Sequence, residues 1–245
     1  MKDMGPASRM WHLYKMGGIA PAISSVFDAK NAQQMAFIRS VMKEQRQNSL
    51  YDVTLDSMEA VVFDLETTGF SPYNGDEIIS IGGVKVIGGQ VDDDQKYYTP
   101  VNPKRNIPDD IVSLTGITNE EVNQAPELIQ GLRGFLEFVG KRVLIAHGSG
   151  HDKHFLNSAL WKTSKVNLNH RILDTMMIAK WLHPKQKRYD LDTMLDQYEI
   201  PVTQRHHALQ DSYMTAFLWG KMLAVIKERD VESLGDLYAH LSHQG

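Results

Sequence analysis

Two acidic side chains, Asp64 and Glu66, lie two residues apart in the segment VVFDLETTG. The apolar and β-branched residues before them are typical of a buried β-strand, in which side chains at positions i and i+2 point to the same face. Neighbouring carboxylates repel each other, and their burial is costly unless a cation or strong hydrogen-bond donors compensate the charge. The pair therefore indicates either a cation site or a solvated strand face.

Three more residues suited to chemistry lie where a strand or loop meets a predicted helix. Asp152 follows the apolar segment RVLIAHG, and Asp211 lies at the start of a long helical stretch. Helix capping and the helix dipole favour an acid at either place, so each one alone has a structural explanation. His206 precedes Asp211 by five residues. An imidazole with a pKa near neutrality is suited to accept a proton from water.

Hydrophobic patterning predicts the elements that position these residues. The segments EAVVFDLETTG, DEIISIGGVKVIGG and QKYYTPVN predict three successive strands joined as antiparallel hairpins. Further along the chain, RVLIAHG and ILDT predict short strands that are each followed by a helical stretch, which favours parallel pairing. We therefore expect an α/β fold with a mixed five-stranded sheet, flanked by helices, and a site near the strand ends.

Two further helical patterns lie before and after these predicted strands and helices. Apolar spacing over residues 35–42 predicts a helix, and we interpret residues 1–50 as an N-terminal helical extension of a domain at residues 51–245. This helix has enough apolar surface to dock on a partner or to fold back on its own domain, and we favour the second. A C-terminal helix is expected over about residues 208–229. Its predicted packing face consists of Leu209, Tyr213, Ala216, Phe217 and Gly220.

The composition excludes several classes of protein. Hydrophobic residues make up 42% and charged residues 23%, as in soluble globular proteins. The absence of cysteine excludes disulfides and thiolate metal sites, and it is compatible with the reducing cytoplasm, where we expect the protein. The longest uncharged run near the N-terminus, MGGIAPAISSVF, has twelve residues, too few to span a membrane.

The net charge of −4 argues against a protein that coats long stretches of nucleic acid, because such binding needs many lysine and arginine contacts. An enzyme that binds a strand end needs fewer cations. Local basic runs are present as KQKR at 185–188 and KR at 104–105. Each run taken singly is explained at least as well by solvated surface charge.

In their order along the chain, these motifs resemble those of the DEDDh, or DnaQ-like, exonuclease family, which includes the proofreading epsilon subunit of bacterial replicative polymerases. FDLETTG matches the first family motif and places its acids at Asp64 and Glu66. AHGSGHDKHFL matches the second motif and points to Asp152. HHALQD matches the third motif, H-x-A-L-x-D, which assigns the histidine role to His206 and the last acid to Asp211.

The resemblance covers about residues 61–228 and leaves residues 1–50 outside. It departs from the family pattern in the second motif, where Gly148 replaces the usual asparagine and His151 replaces the usual aromatic residue. These two differences bear on contacts with the substrate, because all five signature residues are present.

The resemblance implies a ribonuclease H-like fold in which four acids, Asp64, Glu66, Asp152 and Asp211, bind two divalent cations, Mg²⁺ or Mn²⁺. Oxygen ligands suit these hard ions. In such sites the cations lie roughly 3.5–4 Å apart, one activating the attacking water and the other stabilising the leaving 3′ oxygen. By this analogy His206 takes the proton of the water, and a nucleoside 5′-monophosphate leaves.

The resemblance also implies contacts with the substrate. Thr67 and Thr68, after the acidic pair, are expected to hold the terminal nucleotide through hydroxyl or backbone groups. Leu114 and Phe155 are expected to pack against the last bases, although a core position in its helix explains Phe155 equally well. The expected substrate is the 3′ end of single-stranded DNA. A DNA polymerase is a further expected partner, because proofreading members work attached to one.

Two alternatives stay open at this point. The same motifs serve enzymes that trim RNA, and the contacts to the 2′-hydroxyl that would distinguish the sugars cannot be located from sequence. The other alternative is a nucleic-acid-binding subunit that keeps the fold without the activity. The intact acids and histidine argue against this second alternative.

Overall fold

Strands and helices follow each other in the order that the patterning predicts. The computed structural model describes residues 20–46 and 51–242. The elements are α1 (Ala20–Gln45), β1 (Glu59–Thr67), β2 (Ile78–Ile87), β3 (Gln90–Pro100), α2 (Asp109–Thr115), α3 (Asn119–Gln124), α4 (Leu128–Val139), β4 (Val143–Ala146), α5 (Gly150–Ser164), β5 (Ile172–Asp174), α6 (Thr175–Leu182), α7 (Leu191–Gln197), α8 (Ala208–Lys227) and α9 (Leu234–Ser242). None of the helices in these two stretches is both long and apolar enough to cross a lipid bilayer.

One sheet of five strands has the order β3-β2-β1-β4-β5. β1 and β2 pair antiparallel, as do β2 and β3, whereas β4 pairs parallel with β1 and β5 pairs parallel with β4. Helix α5 makes the connection from β4 to β5 that a parallel pair requires. The expected mixed sheet, with three antiparallel strands followed by parallel ones, is confirmed.

The central strand β1 is buried on both faces, which its continuous apolar run explains. On one face Val61 and Phe63 pack in a core shared with α1, α4 and α5. On the other face Ala60 and Val62 pack in a core shared with α6 to α9. Because side chains alternate along a strand, Asp64 continues the row of Ala60 and Val62 and lies on the face that α8 covers.

Helix α1 packs against α4 and α5. Ile38 and Met42 are fully buried in the core on that side of the sheet, and the Nδ2 atom of Asn169 donates a hydrogen bond to the Met42 carbonyl at 2.7 Å. The expectation that this helix folds back on its own domain is confirmed. Residues 1–19 and 47–50 of the predicted extension lie outside the described residues, and the boundary between extension and domain stays a prediction.

The predicted packing face of α8 is wrong in part, because it includes the exposed Phe217 and leaves out Met214 and Trp219, although Ala216 is fully buried and Leu209 and Tyr213 pack against the core. Phe217 is 49% exposed, and Leu209 and Tyr213 are only partly buried, whereas Met214 and Trp219 are buried. The reason is that α8 contacts the three antiparallel strands as well as α6 and α7. Its buried surface is therefore set by several neighbours, and a single apolar stripe does not reveal it.

Candidate active site

The end of β1 carries the first two acids and lies under the start of α8. Gly82 of β2 lies directly opposite Asp64 in the antiparallel ladder. A Cβ atom at Gly82 would lie 2.2 Å from the carbonyl carbon of Ala208, so only glycine allows the start of α8 to approach the sheet this closely. This close approach brings the first turn of α8, which carries Asp211, over the acids of β1.

Three carboxylates meet at this place. Asp64, Glu66 and Asp211 each have a carboxylate oxygen within 4.8 Å of the others. Burial raises the pKa of Asp64 well above its usual range, and the charges of Asp152 and Glu66 raise it further. Burial also raises the pKa of Glu66 to about 8, with a contribution from Asp211. Such a cluster of buried like charges requires nearby positive charge before all its members ionise together.

The fourth acid, Asp152, lies in the first turn of α5 and is 4% exposed. Burial raises its pKa to about 7, and its charge contributes to the raised pKa of Asp64, so the two carboxyl groups are electrostatic neighbours. The group that meets the 4.8 Å distance consists of the other three acids. The structure therefore brings all four predicted acids into one region, with Asp152 beside a tighter group of three.

This donor set fits divalent cations such as Mg²⁺ or Mn²⁺. Every donor is a carboxylate oxygen, which is the ligand type that hard cations prefer. The raised pKa of Glu66 shows that the ionised cluster needs compensating charge, which bound cations provide. Asp64, Glu66 and Asp211 would hold such ions, with Asp152 close by.

Of the two adjacent histidines, His206 is the one on the side of the acids. Burial raises the pKa of Asp211, and the charges of Arg205 and His206 oppose this rise, so the His206 ring is an electrostatic neighbour of that carboxylate. The His207 ring instead stacks on Tyr98 of β3, with ring centroids 4.8 Å apart. The packing of His207 leaves His206 as the candidate proton acceptor, as the third motif implies.

Arg205 is a member of the site that the sequence analysis missed. Its guanidinium forms ion pairs with Asp211 and with Asp192 of α7. Its charge also opposes the raised pKa of Asp64 and of Glu66, which burial causes. The available signal was a basic residue directly before the third motif.

The second motif forms a turn that Asp174 fixes. The Asp174 carboxylate accepts hydrogen bonds from the backbone N–H groups of Gly148 at 3.0 Å, Ser149 at 2.8 Å and Met176 at 2.8 Å. Gly148 has a φ of +68°, in the left-handed region. Glycine adopts this conformation freely and asparagine tolerates it, which explains how glycine replaces the asparagine that is usual in the family. Asp174 thereby positions the loop that leads to Asp152.

The hydroxyl groups of the two threonines after β1 bond within the protein. Thr67 donates to the Gly69 carbonyl at 2.7 Å. Thr68 donates to Asp76 at 3.1 Å and accepts from the backbone N–H of Glu77 at 3.1 Å. These bonds shape the turn that follows the acidic pair, and the contact of either threonine with a nucleotide stays a prediction.

The two apolar residues expected at the last bases differ in exposure. Leu114 on α2 is 47% exposed, whereas Phe155 is 2% exposed and packs in the core beneath His151. Their base contacts stay predictions. Phe70 and Tyr73, which no motif indicated, are 82% and 70% exposed and line a pocket of about 290 Å³ together with His151. The signal for Phe70 was an aromatic residue directly after the first motif.

A comparison with known protein families identifies the family of this chain. Residues 61–218 match the family model described as exonuclease. The chain belongs to the exonuclease family. This range contains all four acids and His206, and the DEDDh membership that the motifs imply is confirmed.

Sequence relatives of this exonuclease domain are DNA polymerases. It is 36% identical to the DNA polymerase III PolC-type of Bacillus subtilis (strain 168) over 179 residues, which are 73% of this chain and 12% of the relative. It is 39% identical to the DNA polymerase III PolC-type of Clostridium perfringens (strain 13 / Type A) over 184 residues, 74% of this chain and 12% of the relative. The chain thus spans about an eighth of the length of these relatives.

Solved structures share the fold. The nuclease domain of 3′hExo, a DEDDh family member bound to rAMP, superimposes with a TM-score of 0.61 at 23% identity and covers 73% of this chain and 94% of that one. Exonuclease X in complex with 5′ overhanging duplex DNA gives a TM-score of 0.57 at 20% identity, covering 74% and 99%. The mixed sheet flanked by helices is therefore the ribonuclease H-like fold of exonucleases.

Proposed function

We propose that this exonuclease domain removes nucleotides one at a time from the 3′ end of single-stranded DNA and releases nucleoside 5′-monophosphates. The observation that carries the proposal is the meeting of the Asp64, Glu66 and Asp211 carboxylates within 4.8 Å, two of them, Glu66 and Asp211, on buried residues. Membership of the exonuclease family supports phosphodiester hydrolysis. The polymerase names of the sequence relatives support DNA over RNA as the substrate.

Each residue of the site has a distinct proposed role. Bound Mg²⁺ or Mn²⁺ ions supply the Lewis acidity that activates water and stabilises the leaving 3′ oxygen. Asp64, Glu66 and Asp211, supported by Asp152, provide the anionic oxygens that hold these ions. His206 accepts the proton of the attacking water as the bond from the water oxygen to phosphorus forms and the bond from phosphorus to the 3′ oxygen breaks.

The proposed biological role is proofreading or DNA repair in the cytoplasm, with a DNA polymerase as partner. The support for this role is that the sequence relatives are named DNA polymerases. An assay of mismatched primer ends tests it. A proofreading enzyme trims a mispaired 3′ end faster than a paired one, because an unpaired end separates from its template more easily.

The experiment that tests the activity compares DNA and RNA strands of one sequence, labelled at the 5′ end, with Mg²⁺ and with EDTA. We expect a ladder that shortens from the 3′ end on DNA in Mg²⁺ and no reaction in EDTA. Asp64→Asn should abolish the reaction, whereas the exposed control Asp196→Asn on α7 should leave it unchanged.

Three outcomes would contradict parts of this proposal. Retained cleavage by the Asp64→Asn variant would refute the site. Cleavage of RNA alone would make the enzyme an exoribonuclease. Rapid cleavage of circular DNA, which has no 3′ end, would show an endonuclease.

A further inference from the structure

A basic loop is hydrogen-bonded to the second motif and has no role in the chemistry proposed above. It joins α6 to α7 and carries three exposed cations, Lys185, Lys187 and Arg188. Arg188 pairs with Asp190 but keeps a side chain that is 77% exposed. Within residues 20–46 and 51–242, neither Lys185 nor Lys187 has a carboxylate partner. In a chain with a net charge of −4, three cations lie here within four consecutive residues.

One end of this basic loop is bonded to the second motif. The Nε2 atom of His147 donates to the carbonyl of Tyr189 at 2.7 Å, and the Nδ1 atom lies 2.9 Å from the hydroxyl of Thr175. His147 directly follows β4 and begins the turn that leads to Asp152. The hydroxyl of Tyr189 also donates to the carbonyl of His183 at 2.6 Å, which ties together the two ends of the loop.

The same end of the basic loop is also connected to the third motif, through Asp190 and the helix that it caps. Asp190 accepts a hydrogen bond from the N–H of Thr193 at 3.1 Å and so caps the start of α7. In the first turn of the same helix, Asp192 pairs with Arg205, which pairs in turn with Asp211. The loop is therefore held between the two motifs that supply Asp152 and Asp211.

We propose that Lys185, Lys187 and Arg188 bind the phosphate backbone of the strand upstream of the terminal nucleotide. The proposal rests on the proposed exonuclease function, because a strand whose last phosphodiester lies at the acids must leave the site across a neighbouring surface. The acids themselves repel phosphates, whereas exposed lysine and arginine attract them without regard to base sequence. Sequence-independent attraction suits an enzyme that accepts every nucleotide in turn.

Two variants of the full chain test this proposal. One removes the charges of the basic loop, and the other removes the same number of charges from a control surface. The test variant is Lys185→Gln, Lys187→Gln, Arg188→Gln. The control variant changes two lysines and one arginine that are exposed on α1 or directly after it, namely Lys30→Gln, Lys43→Gln and Arg46→Gln. Both variants lose the same charge, and α1 packs on the far face of the sheet from α7.

The substrates are a 20-nucleotide DNA strand and the p-nitrophenyl ester of thymidine 5′-monophosphate, which has no upstream phosphates. For the strand, three lost contacts should reduce the slope of log KM against log salt by about 2, since each contact to a single strand contributes about 0.7. Between 50 and 200 mM salt, the fold-increase in KM should then be roughly 20 times larger for the wild type than for the loop variant. The ester should be hydrolysed equally by the wild type, the loop variant and the control variant.

The outcomes separate this proposal from the proposed function. If the wild type is active and the loop variant has the same KM and the same salt slope as the wild type, the loop proposal alone is overturned. Equal losses on strand and ester would overturn it as well, because they would show a disturbed active site. A wild type that cleaves neither substrate would refute the exonuclease function, and the loop proposal would fall with it.

Discussion

Replacement of Glu66 by glutamine should stabilise the metal-free protein while it removes a ligand. An unfolded chain ionises this carboxyl near pH 4.5, whereas burial in the folded state raises its pKa to about 8. Between these pH values the folded state holds the proton more tightly than the unfolded state. The free energy of unfolding therefore falls as the pH rises from 4.5 to 8, and this contribution to stability is fully present only below pH 4.5.

The magnitude follows from this linkage. At about 1.36 kcal/mol per pH unit, the rise from pH 4.5 to pH 7 removes about 3 kcal/mol of stability in the metal-free wild type. A glutamine has no charge to desolvate, so Glu66→Gln should regain this amount at pH 7. For a chain of this size, 1 kcal/mol changes Tm by roughly 2–4 °C. The expected gain in Tm is therefore roughly 6–12 °C.

Thermal unfolding in EDTA at pH 5, 6, 7 and 8 measures this effect. The Tm difference between Glu66→Gln and wild type should grow with pH, and added Mg²⁺ should raise the Tm of wild type more than that of the variant. The control is Glu137→Gln, at an exposed position on α4, which should change stability by less than about 0.5 kcal/mol. A variant that is no more stable than wild type in EDTA at pH 7 and pH 8 would refute the reasoning.

Two further predictions concern the proton acceptor and the position of α8. His206→Ala should lower kcat by roughly 10²- to 10⁴-fold, whereas His207→Ala should mainly affect stability. Single-turnover assays measure the two rates, and the reverse pattern would assign the base to His207. Gly82→Ala should lower kcat by roughly 10²-fold and weaken Mn²⁺ binding measured by calorimetry, because its Cβ would push α8 away from Asp64. Gly83→Ala is the matched control, since the nearest atom to its Cβ would be a Val61 methyl at 3.3 Å, and equal effects of both variants would contradict the argument.

Local sequence determined the secondary structure because each strand or helix carries its own pattern. β1 is a continuous apolar run that is buried on both faces, and the spacing of Ile38 and Met42 marks the buried side of α1. The packing face of α8 could not be predicted in this way. Met214 and Trp219 are buried because the sheet, α6 and α7 surround the helix, and this arrangement is a property of the assembled layers.

Missed residues share one physical cause, which is that only the folded structure shows the partners that they contact. Arg205 joins the site through Asp192, thirteen residues before it, and through Asp211 in the next helix. Phe70 and Tyr73 are brought beside His151 only when α5 packs next to the turn after β1.

The sequence by itself determined which side chains are proposed to carry the chemistry, because an acidic pair in an apolar strand and the spacing of the third motif are local features that Asp64, Glu66 and His206 satisfy. Only the tertiary structure decided how these groups act on one another. The close approach of α8 to Gly82 brings the Asp211 carboxylate within 4.8 Å of those of β1. The resulting burial and like-charge repulsion raise the pKa of Glu66 to about 8, since both effects depend on distances that folding alone creates.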